Sequence, residues 1–233
     1  MAIEVFRRRE IKYLLTDEQY NKLLDLMKDH VKKDKYYKSK ICNIYYDTDN
    51  YDLIVKSLDK PYYKEKVRLR SYDIPDADSI VFLEIKKKYE GIVSKRRIEM
   101  KLKDFYYYLE TGKLKNVNKQ IADELNYCFN YYDLKPKLFL AYDRLSYYDK
   151  DNVNFRITFD KNIRSREDNL KLELGDKGKL YFDDDMYMME TKVLNSYPIW
   201  FTKILSELKI YPISFSKYGS IYSNKVKESE VYV

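Results

Sequence analysis

Residues 64–101 read KEKVRLRSYDIPDADSIVFLEIKKKYEGIVSKRRIEMK, and three short runs within them decide the fold. In an extended strand successive side chains point to opposite faces, so residues two apart share a face. Lys64 to Tyr72 then sets Lys66, Arg68 and Arg70 on one face and Val67 and Leu69 on the other. Ile80 to Lys88 repeats the pattern, with Glu84, Lys86 and Lys88 against Leu83 and Ile85, and Ile92 to Lys101 adds Lys95 and Arg97. Short polar breaks separate the runs, which is the pattern of consecutive hairpins.

The same rule extends in both directions. A first strand over Val5 to Leu15 places Arg8, Glu10 and Lys12 on one face. Thr16, with Gln19 three residues on, forms a capping box that opens a helix through about His30, and Leu23, Leu24, Met27 and Val31 supply its apolar side. Ile41 to Thr48 is a second strand. Beyond the hairpins, Asp104 to Glu110 and Asn118 to Tyr132 are helical, the latter through Ile121, Leu125, Cys128 and Phe129. Three further strands follow: Lys137 to Tyr148 with Tyr142 and Arg144, Val153 to Asp160 with Arg156 and Thr158, and Met186 to Leu194 with Glu190 and Lys192. A helix from about Pro198 to Leu208 comes after them. No repeat or linker divides the chain, so residues 1–233 are expected to form a single domain. The expected fold is α+β: an eight-stranded antiparallel β-barrel with the helices packed outside.

Composition narrows the chemistry. The 45 basic and 38 acidic residues give a net charge of +7, which favours anionic partners. Cys42 and Cys128 lie far apart with no histidine cluster, so neither a zinc site nor a disulfide framework is indicated, and a reducing cytoplasm fits best. His30 is the one histidine, which removes most histidine-based catalysis and leaves Lys, Arg, Asp, Glu and Tyr. No apolar stretch approaches membrane-spanning length.

A solvated strand face ordinarily mixes Thr, Ser, Gln and both signs of charge. Here the recurrent choice is Arg or Lys with an isolated Glu. A closed sheet of about eight strands has an interior just wide enough for side chains or one small ligand. Unpaired buried ions cost roughly several kcal/mol each, so a cationic bore needs a counter-charge, and a chain of phosphates supplies it. Arg offers bidentate forks to phosphate and Lys a mobile point charge. Nucleic acid is not expected as a partner, because alternating cations on many strands suit an enclosed bore better than an exposed stripe.

These residues carry a resemblance to the VTC domain, the polyphosphate polymerase domain of the triphosphate tunnel metalloenzyme superfamily. It runs through Arg8-Arg9-Glu10-Ile11-Lys12-Tyr13, Ile44-Tyr45-Tyr46-Asp47-Thr48, Lys66-Val67-Arg68-Leu69-Arg70, Phe82-Leu83-Glu84-Ile85-Lys86 and Ser94-Lys95-Arg96-Arg97. It continues through Tyr142-Asp143-Arg144, Arg156-Ile157-Thr158-Phe159-Asp160, Met189-Glu190-Thr191-Lys192 and Ser214-Phe215-Ser216-Lys217-Tyr218. The resemblance implies a tunnel that binds ATP and inorganic polyphosphate, with γ-phosphate transfer to a growing chain. Lys12, Arg68, Arg70, Lys86, Lys95, Arg144 and Arg156 would hold phosphates, and Glu190, with Glu10 as a secondary candidate, would hold Mg²⁺ or Mn²⁺. Tyr142 and Ser216 would add neutral donors, and Lys217 would close the carboxyl-terminal end of the site. Arg8, Lys66, Lys88, Arg97 and Lys192, on the same faces, are further candidates for substrate contact.

The sequence departs from the tunnel triphosphatases at the first position of their opening acidic motif, which is Arg8, and after Glu190, where Lys192 replaces a second acid. Fewer acids mean fewer metal ligands, which favours chain extension over two-metal hydrolysis. A triphosphatase, or a non-catalytic polyphosphate binder, remains the alternative on the same fold. Translocation of a product would need a separate membrane partner. Glu10 and Glu84 are also placed to form ion pairs within the sheet. Asp47 reads as closing a turn, Asp183 to Asp185 as a hairpin tip, Asp160 as a partner for Arg156, and Trp200 as core.

Overall fold

The computed structural model describes residues 9–90, 92–114, 117–182, 185–194 and 196–230. Arg8, Asp183 and Asp184 lie outside the described residues. Among the described residues ten strands and six α-helices follow in the order β1 (Arg9–Thr16), α1 (Asp17–Met27), β2 (Val31–Asp47), α2 (Asp52–Leu58), β3 (Tyr63–Tyr72), β4 (Ile80–Tyr89) and β5 (Ile92–Lys101). They continue with α3 (Leu102–Thr111), α4 (Lys119–Tyr132), β6 (Lys135–Asp149), β7 (Arg156–Arg166), β8 (Lys179–Leu180), β9 (Met186–Val193), α5 (Ile199–Glu207), β10 (Pro212–Ile213) and α6 (Lys217–Glu230).

The strand order is β10-β1-β9-β7-β6-β2-β3-β4-β5, with β8 paired to β7. This corrects the expected eight-stranded barrel: the antiparallel sheet has ten strands, and among the described residues no pairing joins its two ends, β10 and β5. One end is a two-residue strand that starts with Pro212, which has no N–H to offer a further ladder. The other end, β5, carries Lys95, Arg96 and Arg97, charges that discourage edge pairing.

The chain divides into two compact units. The first comprises residues 1–40, 142–163 and 180–215. Its sheet face buries Tyr13 and Leu15 of β1, Ile157 and Phe159 of β7, and Tyr187 and Met189 of β9 against Leu23 and Met27 of α1 and Phe201 and Ile204 of α5. Each such side chain contributes about 1.5–3 kcal/mol when fully buried. The predicted capping box is present: Gln19 N donates to Thr16 Oγ1, and Thr16 N donates back to Gln19 Oε1, both at 3.2 Å. Trp200 packs beside this core and donates from Nε1 to Asp149 at 2.9 Å.

The second unit comprises residues 41–141, 164–179 and 216–233. Val67 and Leu69 of β3, Leu83 and Ile85 of β4 and Ile98 of β5 form a core with Phe105 and Tyr108 of α3 and Ile121, Leu125 and Cys128 of α4. Helix α4 is capped by Asn118, whose side chain accepts from Ile121 N. Both cysteines are buried thiols outside any disulfide, and burial pushes the Cys128 thiol up to about 12. Helices α1 and α5 in the first unit and α3 and α4 in the second cover the apolar strand face, which leaves the charged face on the opposite side of the strands. No helix among the described residues is long and apolar enough to cross a membrane.

Candidate functional site

The charged face of the second unit is built by register. Antiparallel pairing sets Lys66 opposite Lys86 and Lys86 opposite Lys95, and it sets Arg68 opposite Glu84 and Glu84 opposite Arg97. On the other side of β3, Asn43 and Tyr45 of β2 face Arg70 and Arg68. Lys88 lies further along β4, exposed.

Glu84 is the centre of this face. It is 1 % exposed, and three cations converge on it. Arg68 donates from Nε at 2.8 Å and approaches with Nη2 at 2.7 Å, both to Oε2. Arg70 Nε lies 3.9 Å from the same oxygen, and Lys95 Nζ donates to Oε1 at 3.1 Å. Burial alone would raise the Glu84 pKa, but Arg68, Arg70 and Lys95 outweigh it and hold the carboxyl at about 2. Lys95 is pulled below the ordinary lysine range by partial burial, and Glu84 opposes that shift. Arg70 also donates from Nε to Asn43 Oδ1 at 2.9 Å, and Asn43 is itself anchored by Nδ2 to Leu140 O at 3.1 Å. Arg68 Nη1 reaches Tyr45 OH at 3.3 Å. At the start of α6, Ser216 Oγ accepts from Lys66 Nζ at 2.8 Å and from Gly219 N at 3.2 Å. Lys217 follows, buried.

Asp47 closes the end of β2, as its place in the sequence suggested. Fully buried, it accepts from Thr48 N, Leu53 N, Ile54 N and Tyr218 OH. The bonds from Leu53 N and Ile54 N satisfy orphan donors at the start of α2, so Asp47 acts as that helix's cap. Burial still leaves its carboxyl above the usual range.

The charged face of the first unit has a different balance. Register sets Lys12 opposite Glu190 and Glu10 opposite Lys192, while Glu190 faces Thr158 and Lys192 faces Arg156 on β7. Lys192 Nζ lies 3.0 Å from Glu190 Oε1. Lys12 Nζ donates to Phe215 O at 2.7 Å. Arg144 forms a forked pair with the fully buried Asp160, Nε to Oδ1 at 2.6 Å and Nη2 to Oδ2 at 2.8 Å, and its guanidinium lies over the Tyr142 ring. Burial opposes the charge on Arg144, but Asp160 and its neighbours raise the pKa well above the usual value. The expected partner of Asp160 is therefore corrected: it pairs with Arg144, and Arg156 Nη1 lies 3.7 Å from Asp34 on β2.

The sequence-predicted residues thus fall into two sets. Lys66, Arg68, Arg70, Lys86, Lys88, Lys95, Arg97, Ser216 and Lys217 belong to the second unit; Glu10, Lys12, Tyr142, Arg144, Arg156, Glu190 and Lys192 belong to the first. Asn43, Tyr45 and Asp34 were missed. Asn43 and Tyr45 carry the same two-residue alternation as their neighbours and could have been read from it.

Among the described residues no group of three or more His, Cys, Asp and Glu side chains suits a metal ion. Glu190 and Glu10 lie on adjacent paired strands, each opposite a lysine, Glu190 opposite Lys12 and Glu10 opposite Lys192.

The family model of the VTC domain matches residues 7–224. No curated protein matches the sequence. Solved structures with a similar fold include a candidate adenylate cyclase from Bacillus halodurans, 15% identical with a TM-score of 0.54, covering 91% of this chain and 94% of that one. A candidate adenylate cyclase from Vibrio parahaemolyticus is 12% identical with a TM-score of 0.51, covering 94% and 99%. A candidate adenylyl cyclase from Hippeastrum with a dominant triphosphatase activity is 17% identical with a TM-score of 0.56, covering 92% and 95%. At these identities the likeness is one of fold.

Proposed function

The chain belongs to the VTC domain family, and on that premise we propose that it is a polyphosphate polymerase of the triphosphate-tunnel type, transferring the γ-phosphate of ATP to a growing inorganic polyphosphate chain. The observation that carries this reading is the convergence of Arg68, Arg70 and Lys95 on one buried carboxylate, with Lys66, Lys86 and Arg97 in register beside them. Such a face is suited to a polyanion.

In this reading Lys12, Arg68, Arg70, Lys86, Lys95, Arg144 and Arg156 bind phosphate oxygens. Arg8, Lys66, Lys88, Arg97, Tyr142, Lys192, Ser216 and Lys217 make further substrate contacts. Transfer breaks the bridging P–O bond between the β- and γ-phosphates and forms one P–O bond to the terminal oxygen of the chain, and ADP leaves. The cations neutralise charge on the nonbridging oxygens and align the two ends, so no protein nucleophile is required. Glu190, with Glu10, would hold Mg²⁺ or Mn²⁺, which when bound supplies further neutralisation of phosphate charge.

A second reading, hydrolysis of inorganic or nucleoside triphosphate, is favoured by one observation: the Hippeastrum protein of similar fold has a dominant triphosphatase activity. The two separate on a gel. Incubation with ATP and Mn²⁺ is expected to give a ladder of phosphate chains, and Glu190→Gln to abolish it. Phosphate release with no ladder under varied primers would overturn the polymerase in favour of the hydrolase.

A further inference from the structure

We propose that Glu84 is a positioning residue: it draws the phosphate-binding cations Arg68, Arg70 and Lys95 together on the sheet and keeps Lys95 protonated, and it takes no part in holding a metal. This rests on the reading of that face as a phosphate site. Glu84 sits on the central strand of the β3-β4-β5 ladder, and both of its oxygens are engaged by protein cations, Oε2 by Arg68 and Oε1 by Lys95. A metal ion would have to displace one of them. The like-charged side chains around it come from every neighbouring strand: Lys66, Arg68 and Arg70 from β3, Lys86 from β4 itself and Arg97 from β5. Without a shared anion these groups repel one another, and a lysine among arginines loses its proton more readily. Arg70 has a second hold in Asn43, and Arg68 in Tyr45. Lys95, 43 % exposed at the edge strand, depends most on the carboxylate.

Simple charge counting and this proposal predict opposite results for Glu84→Gln. Removing a negative charge from a cationic face should tighten the binding of an anion, whereas removing a positioning carboxylate should weaken it. Binding of inorganic tripolyphosphate is measured by calorimetry with the whole chain in chelator, across pH 6 to 10. The expected result is an affinity for Glu84→Gln about tenfold lower than wild type. The alkaline limb of its binding profile should also move to lower pH, because the Lys95 ammonium has lost the group that raises its pKa. Glu84→Asp, which keeps the charge, should restore most of the affinity and the position of the limb. Equal or tighter metal-free binding by Glu84→Gln, or an unmoved limb, overturns the proposal, and a loss seen only with metal present assigns Glu84 to the metal instead. Should Glu84→Gln not fold, Lys95→Arg decides, because a guanidinium keeps its charge across this range: loss of the alkaline limb is expected, and a limb unchanged from wild type counts against Lys95 as the group that Glu84 keeps charged. If the wild-type chain itself binds no tripolyphosphate, the functional reading fails first. If it binds and the variant matches it, only the role of Glu84 falls.

Discussion

The two charged faces differ in how their cations are matched. In the first unit the named cations make their closest ion pairs with different carboxylates, Arg144 with Asp160, Arg156 with Asp34 and Lys192 with Glu190. In the second, Arg68, Arg70 and Lys95 share Glu84. One-to-one pairing spends a cation's charge within the protein and fixes its geometry. Sharing sets three cations against one carboxylate, and under the proposed function that excess of positive charge makes the second face the stronger attractor for phosphate.

The comparison breaks most severely at Asp160. Asp160→Ala strands the Arg144 guanidinium in a buried place, and removal of one partner from such a pair costs roughly 3–5 kcal/mol; urea unfolding should report a loss of that size, and a change under 1 kcal/mol would mean that the matched pair is not what holds this face. Acid sharpens the contrast from the other side. Glu84 is depressed from 4.5 to about 2 in the folded chain, so its contribution is fully present above pH 4.5 and is lost as pH falls through about 2. The shift is worth roughly 3 kcal/mol. Wild-type stability should therefore decline between pH 5 and pH 2 more steeply than that of Glu84→Gln, and parallel curves would remove Glu84 as the source. The smallest effect is expected where neither face is touched: Thr16→Ala deletes the cap of α1 and should cost about 1 kcal/mol with triphosphate binding unchanged.

Much of this was legible in the chain because alternation is a local property. Strands β1, β3, β4, β7 and β9 declared their charged and apolar sides, and Tyr13, Val67, Leu83, Ile157 and Met189 all turn to the helices as their parity requires. The first part of β2, Val31 to Lys40, escaped because VKKDKYYKSK places lysine on both faces and hides the period. Helix α2 escaped for a different reason. Tyr51 precedes it with a left-handed φ of 62°, and its capping carboxylate, Asp47, belongs to the preceding strand. Strands β8 and β10, of two residues each, are too short to carry a period, so the strand count was low and the sheet was expected to close. In the site, the cations were found but their partners were not. That Asp160 answers Arg144 and not Arg156 depends on which strands lie side by side, and strand order is not written in any single segment.

Two of the bonds described above join residues far apart in the chain: Lys66 to Ser216, 150 residues on, and Asp47 to Tyr218, 171 residues on. A ribosome adding about 5–20 residues per second needs roughly 8–30 s to travel the shorter of these distances. For that interval a nascent chain already displays Lys66, Arg68 and Arg70 while the hydroxyl that meets Lys66 has yet to be made. The Lys66 bond to Ser216 is therefore a late contact in synthesis, formed only after the strands of this face have left the ribosome.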